Sequence, residues 1–141
     1  MILDLPVNNE RRQSPRFVID LPVDIVKDDG NVLPVTSRNI SSNGMQITCD
    51  SWVTDEIEPR GIQSHSINHL RFKIVIELQI EKDTKKLYAN CRVKSVQRLS
   101  QNVYVLSLAF TDFENGTESV LNKYLAQHKQ KKILLEGVIG K

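Results

Sequence analysis

The stretch Arg71-Phe72-Lys73-Ile74-Val75-Ile76-Glu77-Leu78-Gln79-Ile80 alternates well. Phe72, Ile74, Ile76, Leu78 and Ile80 share one side of an extended chain, and Lys73, Val75, Glu77 and Gln79 share the other. A period of two is the pattern of a strand with one buried face, whereas the apolar stripe of a helix repeats every 3.6 residues or so, about once per turn. Upstream of it, Phe17 to Val26 reads as a first strand, with Pro22 confined to an edge or a bulge because proline cannot donate to a ladder. Asp28-Asp29-Gly30-Asn31 is a turn that tolerates positive φ, so Val32 to Arg38 returns as an antiparallel partner, and Met45 to Cys49 follows as a short third strand. Asp50 to Leu70 holds Pro59, Gly61, His65 and His69 with few apolar residues in any period, and reads as a long loop with one helical turn at most. Downstream, Glu81 to Lys85 is a charged hairpin loop, and Leu87 to Val96 pairs with Val103 to Phe110 across the Gln97 to Asn102 connection.

Six short antiparallel strands with one buried face curl into a small barrel. Past them the period changes: Phe113, Val120, Leu121, Tyr124 and Leu125 recur at helical spacing, and Asn115 with Glu118 has the form of a capping box. One helix is expected over about Gly116 to Lys131, with His128 at its boundary face and Lys129 to Lys132 at the negative end of its dipole. The fold class is therefore mainly β, a six-stranded antiparallel barrel with a C-terminal α-helix and a flexible N-terminal arm. Residues 1–10 are expected as a tail, 11–132 as the domain and 133–141 as a second tail.

The 141 residues are 40% hydrophobic and 26% charged, an ordinary globular balance. The longest apolar run is four residues, Val103 to Leu106, against the roughly 20 that a membrane-spanning helix needs, so no membrane insertion is expected. An acid stands in the first residues where a secretory signal carries a base, and the expected location is the cytoplasm. Cys49 and Cys91 form no CxxC pair and read as small buried hydrophobes. The net charge of +2 conceals an uneven distribution: Glu10 to Arg16 holds three arginines against one acid, and Val120 to Lys141 five lysines against one acid. An anionic ligand should meet an end of the chain first.

Two constellations carry chemistry. Glu10-Arg11-Arg12-Gln13-Ser14-Pro15-Arg16 precedes the first strand, and Pro15 keeps Ser14 out of the helical region. In an extended chain Arg12 and Arg16 project from one side about 13 Å apart, a reach suited to two separated anionic groups. Arginine's planar fork takes a phosphate or the O6/N7 edge of guanine bidentately, and its face stacks on a base. Alone, such a cluster reads as a solvated arm. The second constellation, Asn39-Ile40-Ser41-Ser42-Asn43-Gly44, reads alone as a turn in which Asn43-Gly44 supplies positive φ. It also presents an amide, a hydroxyl and an open glycine backbone on one edge of the barrel. Elsewhere, His65 and His69 have i, i+4 spacing but no acid nearby to complete a metal set, and no nucleophile motif, P-loop or acid pair outside a turn marks a catalytic site. The chain is read as a non-enzyme.

Together, Arg12-x-x-x-Arg16 before the first strand and Asn39-x-Ser41-x-x-Gly44 after the second resemble the PilZ family of cyclic di-GMP receptors, over about Arg11 to Leu125. The resemblance implies a PilZ-type barrel whose arm folds over the cyclic dinucleotide, often an intercalated dimer of it. By that resemblance Arg12 and Arg16 grip phosphates and guanine edges, Arg11 is the extra arginine before the motif, Asn39 accepts from a guanine, Ser41 assists with Ser42 and Asn43 beside it, and Gly44 permits close backbone approach. Asn39 stands where the family more often has aspartate, which offers more acceptor capacity. Where many members carry a stacking Arg or Trp on the fifth strand, the aligned residue is Ser95, with Arg98 a few residues on. The implied function is a receptor that binds cyclic di-GMP with no other cofactor, orders its arm and signals through a changed surface to a downstream protein partner. The alternative is a PilZ-like adaptor acting through protein contacts with weak or no ligand binding. A DNA- or RNA-binding barrel is disfavoured by 6% aromatics and no overall basic excess.

Overall fold

The computed structural model describes residues 15–139. Its strands are β1 (Phe17–Val18), β2 (Pro22–Val26), β3 (Val32–Ile40), β4 (Gly44–Cys49), β5 (Arg71–Ile80), β6 (Asp83–Ser100) and β7 (Val103–Phe113), with helices α1 (Ser51–Ile57) and α2 (Glu118–Ile139). Every pairing is antiparallel, in the order β3-β2-β5-β6-β7-β4, and β4 pairs back to β3 to close a six-stranded barrel. Closure leaves no free edge in the wall. β1 is a short seventh strand on β3, so the expected first strand, Phe17 to Val26, is broken over residues 19–21, and Pro22 opens the second piece.

The alternation in β5 is realised: Phe72, Ile74, Ile76 and Leu78 are buried, and the ten β5–β6 pairs run without a register shift. Ile25, Leu33, Ile40, Ile47, Leu87 and Leu106 join them inside the barrel. Each such side chain contributes about 1.5–3 kcal/mol on burial. Cys49 and Cys91 are buried in this core, and burial pushes both thiols up to about 12.

Several details correct the sequence reading. The hairpin over 81–85 closes in two residues, Glu81 and Lys82, with Glu81 at φ 55, because Thr84 and Lys85 already pair with Gln79 and Leu78. The connection over 97–102 is likewise only Gln101-Asn102. Within the stretch read as loop, α1 makes about two turns: Asp50 caps it by accepting from Val53 N–H at 3.0 Å, and Ser51 fixes it to the β6–β7 turn through Asn102. Finally, Asn115 is no cap. It sits in a left-handed turn at φ 58, and α2 begins after Thr117, whose hydroxyl lies 2.7 Å from Glu114 O and 3.0 Å from Tyr88 O. The helix continues past Lys131 to Ile139, so most of the expected C-terminal tail is helical.

α2 packs through buried Leu121 and Tyr124, and Gln127 straps it to the β5–β6 hairpin, accepting from Glu81 N–H at 2.7 Å and donating to Gln79 O at 3.0 Å. The ring of His128 stands between Tyr124 and Phe17, with centroids 4.4 and 5.8 Å away. That contact sets the helix beside β1, where the arm enters the barrel.

Candidate functional site

Of the first constellation, Arg11 and Arg12 lie outside the described residues, and Arg16 is exposed immediately before β1. β1 joins the ladder with Phe17 opposite Ile40 and Val18 opposite Asn39, and Ile19 N–H donates to Arg38 O at 3.2 Å. One step further along this register Arg16 falls level with Ser41. The second arginine of one motif and the Asn and Ser of the other are thus neighbours, although 23 positions separate Arg16 from Asn39.

Asn39 reaches the surface through a β-bulge. Leu33, Val35 and Ser37 point inward, and unbroken alternation would bury Asn39 as well. The register instead shifts between Ser37 and Asn39, so that Arg38 is the extra residue, Ile40 enters the core, and Asn39 lies half-buried on the outer face. A second shift, between Val93 and Ser95, has the same consequence on β6: Val93 is buried and Ser95 faces out. The two bulges align one outer row across four strands, Asn39 opposite Gln46, Gln46 opposite Ser107, and Ser107 opposite Ser95. Asn39 Nδ2 donates to Gln46 Oε1 at 2.7 Å, and Gln46 Nε2 donates to Ser107 Oγ at 2.9 Å. The bulged residues Arg38 and Lys94 are exposed bases at the margins of this row. Motif matching missed Gln46 and Ser107; the legible signal was the change of parity in the apolar positions, from Val35 to Ile40 and from Val93 to Val96.

The turn after Asn39 is held from within. Ser41 is 8% exposed, its N–H donates to Gly44 O at 2.8 Å, its hydroxyl donates to the same oxygen at 3.3 Å, and it accepts from Asn43 N–H. Ser42 and Asn43 are exposed, and Asn43 O accepts from Phe110 N–H. The expectation of positive φ at Asn43-Gly44 is not met, since neither residue is left-handed. Gly44 is required for a different reason: a Cβ there would lie 2.0 Å from Leu108 O on β7. Ser42 also lines a groove with Pro15 and Phe17 on one side and Asn122, Leu125 and Lys129 of α2 on the other.

Ser95 belongs to the row, whereas Arg98 does not. The Arg98 guanidinium lies 5.7 Å from the centroid of Tyr104 and donates to Ser100 O and Gln101 O, which ties it to the β6–β7 turn about 10 Å further along the strand. His69 lies 3.3 Å from Glu58 Oε1, beside the Glu58–Arg60 ion pair, and no group of three or more metal-ligating side chains occurs among the described residues. No helix among the described residues is long and apolar enough to cross a membrane.

The model of the PilZ domain matches residues 10–127, most of the chain. A comparison with curated proteins gives no match. Among solved structures, the Bacillus subtilis inhibitor of motility MotI/DgrA is similar with a TM-score of 0.65 at 20% identity, over 86% of this chain and 53% of that one. The PilZ domain of YcgR from Escherichia coli, solved with c-di-GMP, gives 0.58 at 12% identity, over 89% of this chain and 98% of that one. The K. pneumonia MrkH–c-di-GMP complex gives 0.54 at 17% identity, over 93% and 55%. The chain spans about half the length of MotI and MrkH. At these identities the likeness concerns the fold.

Proposed function

The chain belongs to the PilZ domain family, and from that premise we propose that it is a cytoplasmic, non-enzymatic receptor for cyclic di-GMP. The observation that carries the reading is the β1–β3 register, Phe17 opposite Ile40 and Val18 opposite Asn39, which brings Arg16, the residue before β1, to the end of β3 that leads into Ser41. In this reading Arg12 and Arg16 take phosphates and guanine edges, with Arg11 adding charge. Asn39 meets the guanine N–H groups, Gly44 lets β4 lie close against β7, and Ser41 keeps the turn in shape. Ser42 and Asn43 border the ligand, and Ser95 lies at the far end of the polar row. The output is the ordering of residues 11–16 over the ligand, which changes the surface offered to a protein partner.

Calorimetric titration tests this, with both affinity and stoichiometry read out, since two ligands per chain would indicate an intercalated dimer. Cyclic di-GMP should bind at low micromolar concentration or tighter, and cyclic di-AMP far more weakly, because adenine presents a donor where the arginine fork needs the guanine O6 acceptor. Equal affinity for the two removes guanine reading. No binding at high micromolar concentration leaves the second reading, a PilZ-like adaptor. One observation favours that alternative: Ser95 offers no stacking surface, and Arg98 is committed to the β6–β7 turn.

A further inference from the structure

Gln46 and Ser107 belong to neither motif, yet they connect Asn39 to the wall of the barrel through two hydrogen bonds, at 2.7 and 2.9 Å, across β3, β4 and β7. With Nδ2 engaged by Gln46, the other end of the Asn39 amide is Oδ1, an acceptor. The chain of bonds can also run in reverse. If both amides turn over, Asn39 Oδ1 accepts from Gln46 Nε2, and Gln46 Oε1 accepts from the Ser107 hydroxyl, which donates as readily as it accepts. No bond is lost in the exchange. What changes is the group that Asn39 turns outward, from an acceptor to a donor.

Resting on the cyclic di-GMP reading above for its ligand, we propose that Gln46 and Ser107 are positioning residues that couple the Asn39 amide to the barrel wall: with Ser107 accepting from Gln46, Oδ1 is the outward end, and the ends exchange only if both amides and the hydroxyl turn together. Outward Oδ1 suits the N1–H and N2–H edge of guanine, and outward Nδ2 would refuse it. The polarity of a base-reading group is thereby coupled to the way a hydroxyl two strands away is used, as acceptor or as donor. The same relay accommodates a carboxylate at position 39, because Gln46 can turn its Nε2 toward it.

The side-chain amide resonances of Asn39 in the ligand-free protein test the relay without any ligand. Ser107→Ala and Gln46→Met should shift them, and Ser107→Thr, which keeps a hydroxyl, should leave them near the wild-type positions. In titrations the first two variants should weaken cyclic di-GMP binding by roughly three- to tenfold and narrow its preference over cyclic di-AMP, with Ser107→Thr restoring both. Gln46→Glu, which can only accept, should keep the preference. Combined with Asn39→Asp it sets two carboxylates face to face, and the loss should exceed the sum of the single effects. Asn39 resonances unchanged by Ser107→Ala and Gln46→Met overturn the relay. Shifted resonances with an undiminished preference overturn its part in recognition. If the wild type binds no cyclic di-GMP while the resonances still answer to Ser107→Ala and recover in Ser107→Thr, the relay is upheld and the ligand reading falls.

Discussion

Two polar centres on this barrel are built on opposite plans. Around Glu58, a carboxylate 3% exposed has Arg60 at 2.7 Å and His69 at 3.3 Å, and the hydrogen bond from Arg60 is the main cause that lowers its pKa to about 2. The charge of that carboxylate is met within the segment itself, and the cluster ties one end of the 58–70 loop to the other. Around Asn39 the inner groups are neutral amides and hydroxyls, and the charges at the margin, Arg16, Arg38 and Lys94, enter no ion pair among the described residues. A centre that satisfies itself serves the fold; neutral hydrogen-bonding groups inside a rim of unpaired bases suit an anion supplied from outside.

The contrast breaks most visibly at Gly44. In Gly44→Ala the new methyl would stand 2.0 Å from Leu108 O, so β4 and β7 must part beneath the Asn39 row. Stability should fall by about 3 kcal/mol, read from the urea midpoint, and ligand binding should fall with it. Gly30→Ala is the control. Its φ of +90 makes it strained, yet nothing lies within 4 Å, and it should cost about 1 kcal/mol with binding intact. Equal losses at the two glycines would mean that the close approach relaxes freely. Arg16→Ala should show the reverse profile, with binding weakened about tenfold or more for the loss of a charge-assisted bond and stability changed by less than about 0.5 kcal/mol. A thermal midpoint that drops while affinity holds would make Arg16 a structural residue.

The barrel was legible because β5 and its partners keep the period of two that burial imposes, and the two motifs were legible because their residue types and spacings are local. What was not legible came from departures in register. Arg38 and Lys94 look like ordinary strand residues, yet as bulges they turn Asn39 and Ser95 outward; the parity change in the apolar positions marks an extra residue, and the pairing with β4 and β7 shows which one it is and what it aligns. Gly44 reads as a turn glycine from the dipeptide Asn43-Gly44, but what excludes a side chain is a carbonyl on a strand 64 residues away in sequence, at Leu108. α1 was hidden because seven residues give barely two turns of pattern, and its N-terminus is fixed by Asp50 and by Asn102 of a distant turn.

The self-neutralised centre predicts a pH signature that the open one lacks. The folded pKa of Glu58 lies below its ordinary 4.5, so the stability it contributes is fully present above about 4.5 and is lost as pH falls toward about 2. Thermal midpoints of the wild type and Glu58→Gln should therefore differ above that window and converge across it, while cyclic di-GMP affinity at neutral pH is the same for both. Curves that remain parallel down to pH 2 would remove Glu58 from the acid limb. A change in affinity would join the two centres that the comparison separates.

The finest test lies at Asn39 itself. Asn39→Asp keeps the size of the side chain and replaces one acceptor and one donor by two acceptors, which can take the N1–H and N2–H of guanine together while still accepting from a reversed Gln46. The cost is a negative charge near the ligand phosphates, offset in part by Arg16 and Arg38 and reduced by screening at physiological salt. The balance favours tighter binding, by about threefold, with the larger gain at higher ionic strength where the repulsion is weakest. Calorimetry at two salt concentrations reads it directly. If Asn39→Asp binds no better at either, the amide does not face the base, and the row from Asn39 to Ser95 serves the barrel wall in the way that the Glu58 cluster serves its loop.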